Sequence, residues 1–248
     1  MSGHSKWATI KRKKGATDAA RGRLFTRLIR EITMAARLGG DPAGNPRLRL
    51  AIETARKNSM PMDNIKRAIL RGSGGDDGAA LEEILYEGYG PGGIAVLIET
   101  VTDNRNRTVS EIRHLLSRNG GSMAEAGAVA WNFHRKGVIS ITRAGVAEDD
   151  LIMAALEAGA EDVKTEDETF EVFCPLDTFE PVRKALEEKK YPVASASLHY
   201  IPGTIIKLEG APAEQAMKFM EALEEHDDVQ NVFSNFDIDE TTLADLDA

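Results

Sequence analysis

The spacing of apolar residues changes character once along the chain. Before residue 75 they recur at three- and four-residue steps, and after residue 80 strand-like runs alternate with helical ones. In "DAARGRLFTRLIREITMAARLGG" (residues 18–40), Leu24, Phe25, Leu28, Ile29, Ile32, Ala35 and Ala36 line one face of a helix. Gly39–Gly40 supplies its stop. "GNPRLRLAIETARKN" predicts a second helix, with Asn45 as cap, Pro46 in the first turn and Leu48, Ala51, Ile52 and Ala55 inward. "SMPMDNIKRAILRGSGG" predicts a third, with Pro61 near its start, Ile65, Ala68 and Ile69 inward, and Gly72 at its end. Residues 1–17 have no stable period and read as a mobile arm. Arm and helices form an expected domain of residues 1–75, and "GSGGDDGAA" is its linker.

Beyond the linker, "EEILYEGYG" and "GIAVLIETVT" read as strands, "TVSEIRHLLSRNGG" as a short amphipathic helix and "AVAWNF" as another strand. A complete unit follows: strand 137–142, helix 148–158, strand 161–166, strand 169–174, helix 176–189, strand 193–200. That β-α-β-β-α-β order is ferredoxin-like. The flanking pieces make a second such unit when joined across it: strand 93–102, helix 108–119 and strand 128–134, then strand 204–209, helix 212–226 and strand 229–236. The expected fold class is α+β, an N-terminal three-helix domain plus two ferredoxin-like α/β domains, one inserted in the other. The boundaries are 82–135 with 203–238 for the outer domain, 136–202 for the inserted one, and 239–248 for an acidic tail. Two sequential domains divided near residue 150 are the competing organisation.

Charge adds what the apolar pattern does not show. The chain carries a formal net charge of −9, yet residues 1–75 hold 17 Lys or Arg against 5 Asp or Glu, and residues 76–248 hold 14 against 35. A basic segment on an acidic chain points to a polyanionic partner, while the acidic remainder limits nonspecific adhesion. Aromatic residues are only 6% of the chain, which suits small α/β modules with aliphatic cores. The one cysteine, Cys174, excludes an internal disulfide and sits in an apolar run, as a buried core residue would. No apolar run approaches the length of a membrane span, and no apolar stretch follows the basic N-terminus as in a secretory signal. A mitochondrial presequence is a closer rival, but the basic character continues through two further helical segments.

The densest candidate site is the arm. Lys6, Lys11, Arg12, Lys13 and Lys14 can each meet a phosphate, and Trp7 among them offers a stacking face for a base. Trp7 as a hydrophobic latch and the lysines as a solubility tail are the competing readings. Arg23, Arg27, Arg30 and Arg37 fall in a stripe opposite the apolar face of the first helix, and arm plus stripe together favour nucleic acid. A second candidate is Arg105 and Arg107 in "TVTDNRNRT", where Asp103 and Asn104 suit a turn and Thr108 can cap the next helix. "GYGPGG" has GxGxxG spacing at Gly88, Gly90 and Gly93, but a strand follows it and Pro91 interrupts it, so it reads as a turn. None of His4, His114, His134, His199 and His226 stands at metal-ligand spacing to another histidine or to the cysteine, so no metal is expected. The acidic clusters "EEHDD" and "DIDETTLADLDA" read as solvated faces or a loose tail.

"GHSKWATIKRKKG", "RGRLFTRLIREI", "NPRLRLAIETARKNSMP", "DNIKRAILRGSG", "YEGYGPGG" and "TDNRNRT" together resemble the YebC family, which includes mitochondrial translational activators of cytochrome oxidase. The resemblance spans essentially the whole chain and is most specific in its first 110 residues. It implies three domains, no cofactor, a cytoplasmic location and a nucleic-acid partner, with the arm motif falling on His4, Ser5, Lys6, Trp7, Lys11 and Lys14. Members are named as DNA-binding transcriptional regulators and have also been described as ribosome-associated translation factors that relieve stalls at proline runs.

Two physical points favour ribosomal RNA over DNA. A recognition helix beginning "MPMDN" brings Asp63 against phosphate and offers few side chains to base edges. A Lys-rich arm with one aromatic suits unstacked bases. The expectation is a non-enzymatic regulator of gene expression with no membrane and no obligate small-molecule ligand. A ferredoxin-like enzyme or metabolite sensor, with a ligand between its two α/β units, is the remote alternative.

Overall fold

The computed structural model describes residues 18–75 and 80–238. The arm residues His4, Ser5, Lys6, Trp7, Lys11, Arg12, Lys13 and Lys14 and the acidic tail 239–248 lie outside them. Three helices come first: α1 (Asp18–Ala36), α2 (Pro46–Lys57) and α3 (Met62–Gly72). Their core holds most of the apolar set expected from the periodicity, with Leu28, Ile32, Ala35, Leu48, Ala51, Ile52, Ala55, Ile65 and Ala68 buried and Phe25, Ile29 and Ile69 partly so, whereas Leu24 is exposed. Asn45 organises the first corner. Its Oδ1 accepts the Leu48 N–H at 3.1 Å, while its Nδ2 donates to the carbonyls of Ala35 at 2.7 Å and Gly39 at 2.8 Å. One side chain thus caps the start of α2 and ties it to the Ala35 carbonyl in the last turn of α1 and to the Gly39 carbonyl beyond the helix, which stops at Ala36. At the far end α3 crosses α1 at Gly72, where an added Cβ would lie 2.7 Å from that of Ala36. Only glycine permits that approach.

The rest of the chain runs β1 (Glu82–Tyr89), β2 (Ala95–Thr102), α4 (Arg105–Arg118), β3 (Ser122–Met123), β4 (Phe133–Thr142), α5 (Glu148–Ala158), β5 (Asp162–Thr165), β6 (Thr169–Cys174), α6 (Phe179–Glu188), β7 (Val193–Pro202), β8 (Ile206–Leu208), α7 (Gly210–Glu224), β9 (Val229–Ser234) and β10 (Phe236–Ile238). The chain divides into two compact units. One is Asn132–Gly203, and the other comprises the residues on either side of it.

Asn132–Gly203 forms an antiparallel sheet in the order β5-β6-β4-β7, the ferredoxin-like arrangement. Ile139, Ile141, Phe170 and Val172 from the sheet and Leu151, Ala154, Val182 and Leu186 from the helices are buried. Cys174 is buried as expected, and that burial pushes its thiol up to about 12, so it carries no thiolate at neutral pH.

The other unit holds the three helices and an antiparallel sheet in the order β3-β1-β2-β9, with β8 and β10 paired in parallel beside it. Val96 and Ile98 of β2, Ile112 and Leu116 of α4, Phe219 and Met220 of α7, and Val229 and Val232 of β9 share one core. β1 therefore takes the place next to β2. Of the strand expected over 128–134, only Phe133 and His134 are in a strand, where they open β4 against β7. Buried Glu87 of β1 accepts the N–H groups of Gly127 at 2.6 Å, Val129 at 2.7 Å and Ala130 at 2.9 Å, so a side chain satisfies the backbone donors that a strand would have used. Burial acts to raise the Glu87 carboxyl, but these three donors outweigh it and hold the group below its ordinary value. "GYGPGG" is the β1–β2 turn, as its spacing against the following strand requires. Gly92 and Gly93 take φ of 73° and 76°, and a Cβ on Gly90 would meet Phe219 at 2.8 Å.

Candidate nucleic-acid interface

Arg23, Arg27 and Arg30 lie along α1, whereas Arg37 falls in the turn just after it, and the fold engages all four. Three of them reach the turn between α7 and β9, the stretch "EEHDD". Arg23 lies 3.4 Å from Glu225, Arg27 donates to the Glu224 carbonyl, and Arg30 donates to the Asp227 carbonyl and pairs with the Asp228 carboxylate at 2.9 Å. Arg37 donates to the Leu81 carbonyl. The Glu224 carbonyl belongs to the last turn of α7, where the helix leaves carbonyls unpaired and partial negative charge collects. Burial lowers the Arg27 pKa from its ordinary value, against the pull of Glu224.

Asp228 is the centre of this corner, with only 2% of its surface exposed. Its carboxylate also pairs with Arg107 at 2.8 Å and accepts the Thr108 hydroxyl at 2.7 Å, while its backbone carbonyl takes the Val101 N–H at 2.9 Å. Desolvation would raise its carboxyl, yet the Thr108 and Arg107 hydrogen bonds and the charges of Arg30 and Arg107 together hold it below the ordinary range. The sequence gives this buried acid no signal, since its partners come from α1 and α4, far away in the chain. The reading of "EEHDD" as a solvated face is corrected at Asp228.

The α4 start is built differently from the expectation too. Asn104, not Thr108, is the cap, accepting the Arg107 N–H at 3.1 Å, and Thr108 is buried against Thr102 and Asp228. Arg107 is thereby held by Asp228 and by Asp103 at 3.2 Å, whereas Arg105 is exposed and makes no ion pair among the described residues.

Glu111, His226 and Asp228 bring one ligand atom each to within 4.8 Å of one another. Those atoms already have partners. His226 Nε2 meets Glu111 at 2.9 Å, its Nδ1 accepts the Asp228 N–H at 3.1 Å, and Asp228 faces two guanidinium groups. A cation would have to displace both arginines, so the cluster reads as a charge-balanced corner that holds α1, α4 and α7 together.

Comparison with known proteins agrees along the whole length. The TACO1/YebC protein N-terminal domain matches residues 5–75, and the TACO1/YebC second and third domain matches residues 81–236. The chain belongs to the TACO1/YebC family. Both TACO1/YebC matches break at the stretch read as a linker. A protein of Chlorobaculum tepidum named a probable transcriptional regulatory protein is 58% identical over 246 residues, 98% of each chain. One of Chloroherpeton thalassium with the same name is 58% identical over 248 residues, 99% of each chain. The crystal structure of a conserved hypothetical protein from Aquifex aeolicus superposes with a TM-score of 0.84 at 44% identity, covering 90% of this chain and 93% of that one. The TACO1/YebC arm falls within the first match, so its cations and Trp7 belong to the family domain.

Proposed function

We propose that this protein is a non-enzymatic regulator of gene expression that binds nucleic acid, and that it acts in the cytoplasm as a ribosome-associated translation factor contacting ribosomal RNA. The observation that carries this is the charge division, a surplus of cations confined to the first 75 residues of an otherwise acidic chain. The arm is its densest part, with five cations and Trp7 between residues 6 and 14 and no acid. RNA is preferred over duplex DNA because α3 begins with exposed Met62 and Asp63 where a recognition helix would enter the major groove. The names of the relatives favour a second reading, a DNA-binding transcriptional regulator.

The test is crosslinking in cells with sequencing of the recovered nucleic acid, beside sedimentation with ribosomes across a salt series. Recovery of ribosomal RNA and salt-sensitive co-sedimentation are expected, with log affinity falling by about 0.7 per single-strand phosphate contact for each unit of log salt. Deleting residues 1–14 should weaken binding and leave the melting temperature unchanged. A defined operator bound roughly a thousandfold above random DNA, with no ribosome association at moderate salt, would establish the transcriptional reading instead.

A further inference from the structure

α3 has two opposite faces. Ile65 and Ala68 are buried in the helical core, and Gly72 lies so close to α1 that the rotation of α3 about its axis is fixed. At 100° per residue, Lys66, Arg67, Leu70 and Arg71 then share the outward arc, and all four are exposed. The cations among them differ from those of α1 in their partners. Lys66 and Arg71 make no ion pair or side-chain hydrogen bond among the described residues, and Arg67 reaches only the Asp63 carbonyl and the Asn64 side chain of its own helix. Arg56, exposed in the last turn of α2, has no acidic partner there either. Asp63 is the only acid of α3 and stands at its N-terminal end.

The geometry points to the outward face of α3, Lys66, Arg67 and Arg71, as an anchoring surface for the phosphate backbone of RNA, distinct from the arm. This rests on the nucleic-acid reading above. The three cations span about 7.5 Å along the helix axis, from a rise of 1.5 Å per residue, so they can meet successive phosphates. No internal ion pair has to break before they do. Leu70, 58% exposed between them, adds an apolar contact for a sugar or an unstacked base. The cations lie on the flank and C-terminal half of α3, which suits a backbone lying across the helix better than a helix end-on in a major groove.

The experiment is fluorescence anisotropy with the full chain, a short labelled hairpin RNA with an unpaired loop and a DNA duplex of equal length, across a salt series. Replacing Lys66, Arg67 and Arg71 together by Gln should lower the magnitude of the RNA salt slope by about 2, at about 0.7 per lost contact. A K66R/R67K/R71K variant keeps the charges and should keep the slope. Circular dichroism melts of both should match the parent. If the parent binds RNA and the Gln variant keeps its slope, the α3 assignment falls while the nucleic-acid reading stands. If the variant loses DNA affinity and keeps RNA affinity, the face is a DNA contact and the RNA assignment falls. If the parent binds neither probe, the nucleic-acid reading itself falls.

Discussion

The two cationic helices of the N-terminal region have similar composition and opposite circumstances. On α1, Arg23, Arg27 and Arg30, with Arg37 in the turn just beyond it, are held by carbonyls and carboxylates of the α/β part of the same unit. On α3, Lys66, Arg67 and Arg71 face outward with no acid to neutralise them. A stripe of arginines on a helical wheel shows where charge is concentrated and nothing about whether it is free. The difference lies in what packs against the opposite face. α3 turns its apolar side to α1 and α2 and leaves its polar side bare, whereas α1 carries the domain on one side and the α7–β9 corner on the other.

The comparison can be broken most forcefully at Asp228. Asp228→Ala leaves Arg30 and Arg107 without their shared carboxylate and Thr108 without its acceptor. A loss of about 3 kcal/mol is expected for uncovering a buried charge pair. That corresponds to a fall of roughly 6–12 °C in the melting temperature of the unit, read by calorimetry. An unchanged melt would show that the α1 contacts contribute nothing. Gly72→Ala attacks the other helix. Its new Cβ lands against Ala36 and the Thr33 carbonyl, and overpacking at this crossing should cost about 1–3 kcal/mol, read as a lower urea midpoint.

How much of this was open to reading in advance depends on distance along the chain. The β-α-β-β-α-β order within Asn132–Gly203 was legible, because each of its helices and strands carries its own period and the order alone specifies the arrangement. Asn45 was legible as a cap, since its partner Leu48 is three residues on. Asp228 was not. Its partners lie 198, 121 and 120 residues away, at Arg30, Arg107 and Thr108, and local periodicity cannot show such a meeting. The loss of strand at residues 128–132 has the same cause, because Glu87 is the acceptor and sits some forty residues upstream.

Arg30→Ala sharpens the contrast more gently. It removes one partner of a buried carboxylate that keeps Arg107, so about 1–2 kcal/mol of stability should be lost. The RNA salt slope should not change, because Arg30 already has its partners. A slope that falls with Arg30 would mean that the α1 stripe opens to bind. Acid titration probes the same corner. The Asp228 carboxyl is lowered in the fold, so its contribution is complete above the unfolded value of about 3.9 and is lost as pH falls below it towards the folded value. Asp228→Asn should flatten that part of the pH–stability curve measured by urea denaturation. The smallest effect is expected on α3. Replacing Lys66 or Arg71 by Gln should change stability by no more than about 0.5 kcal/mol in the same measurement.

The inserted unit also bears on the order in which the chain can finish folding. Its two ends meet, with the Gly203 N–H donating to the Asn132 carbonyl at 2.7 Å. β9, which completes the outer sheet against β2, is made only after the whole insert has been synthesised. An unfolded insert would be a long tether whose closure costs entropy that grows with its length. A folded insert shrinks that tether to the width of one hydrogen bond. The insert can fold as it emerges, from contacts local to itself, and then deliver β8, α7 and β9 back to the place where β2 and α4 are waiting.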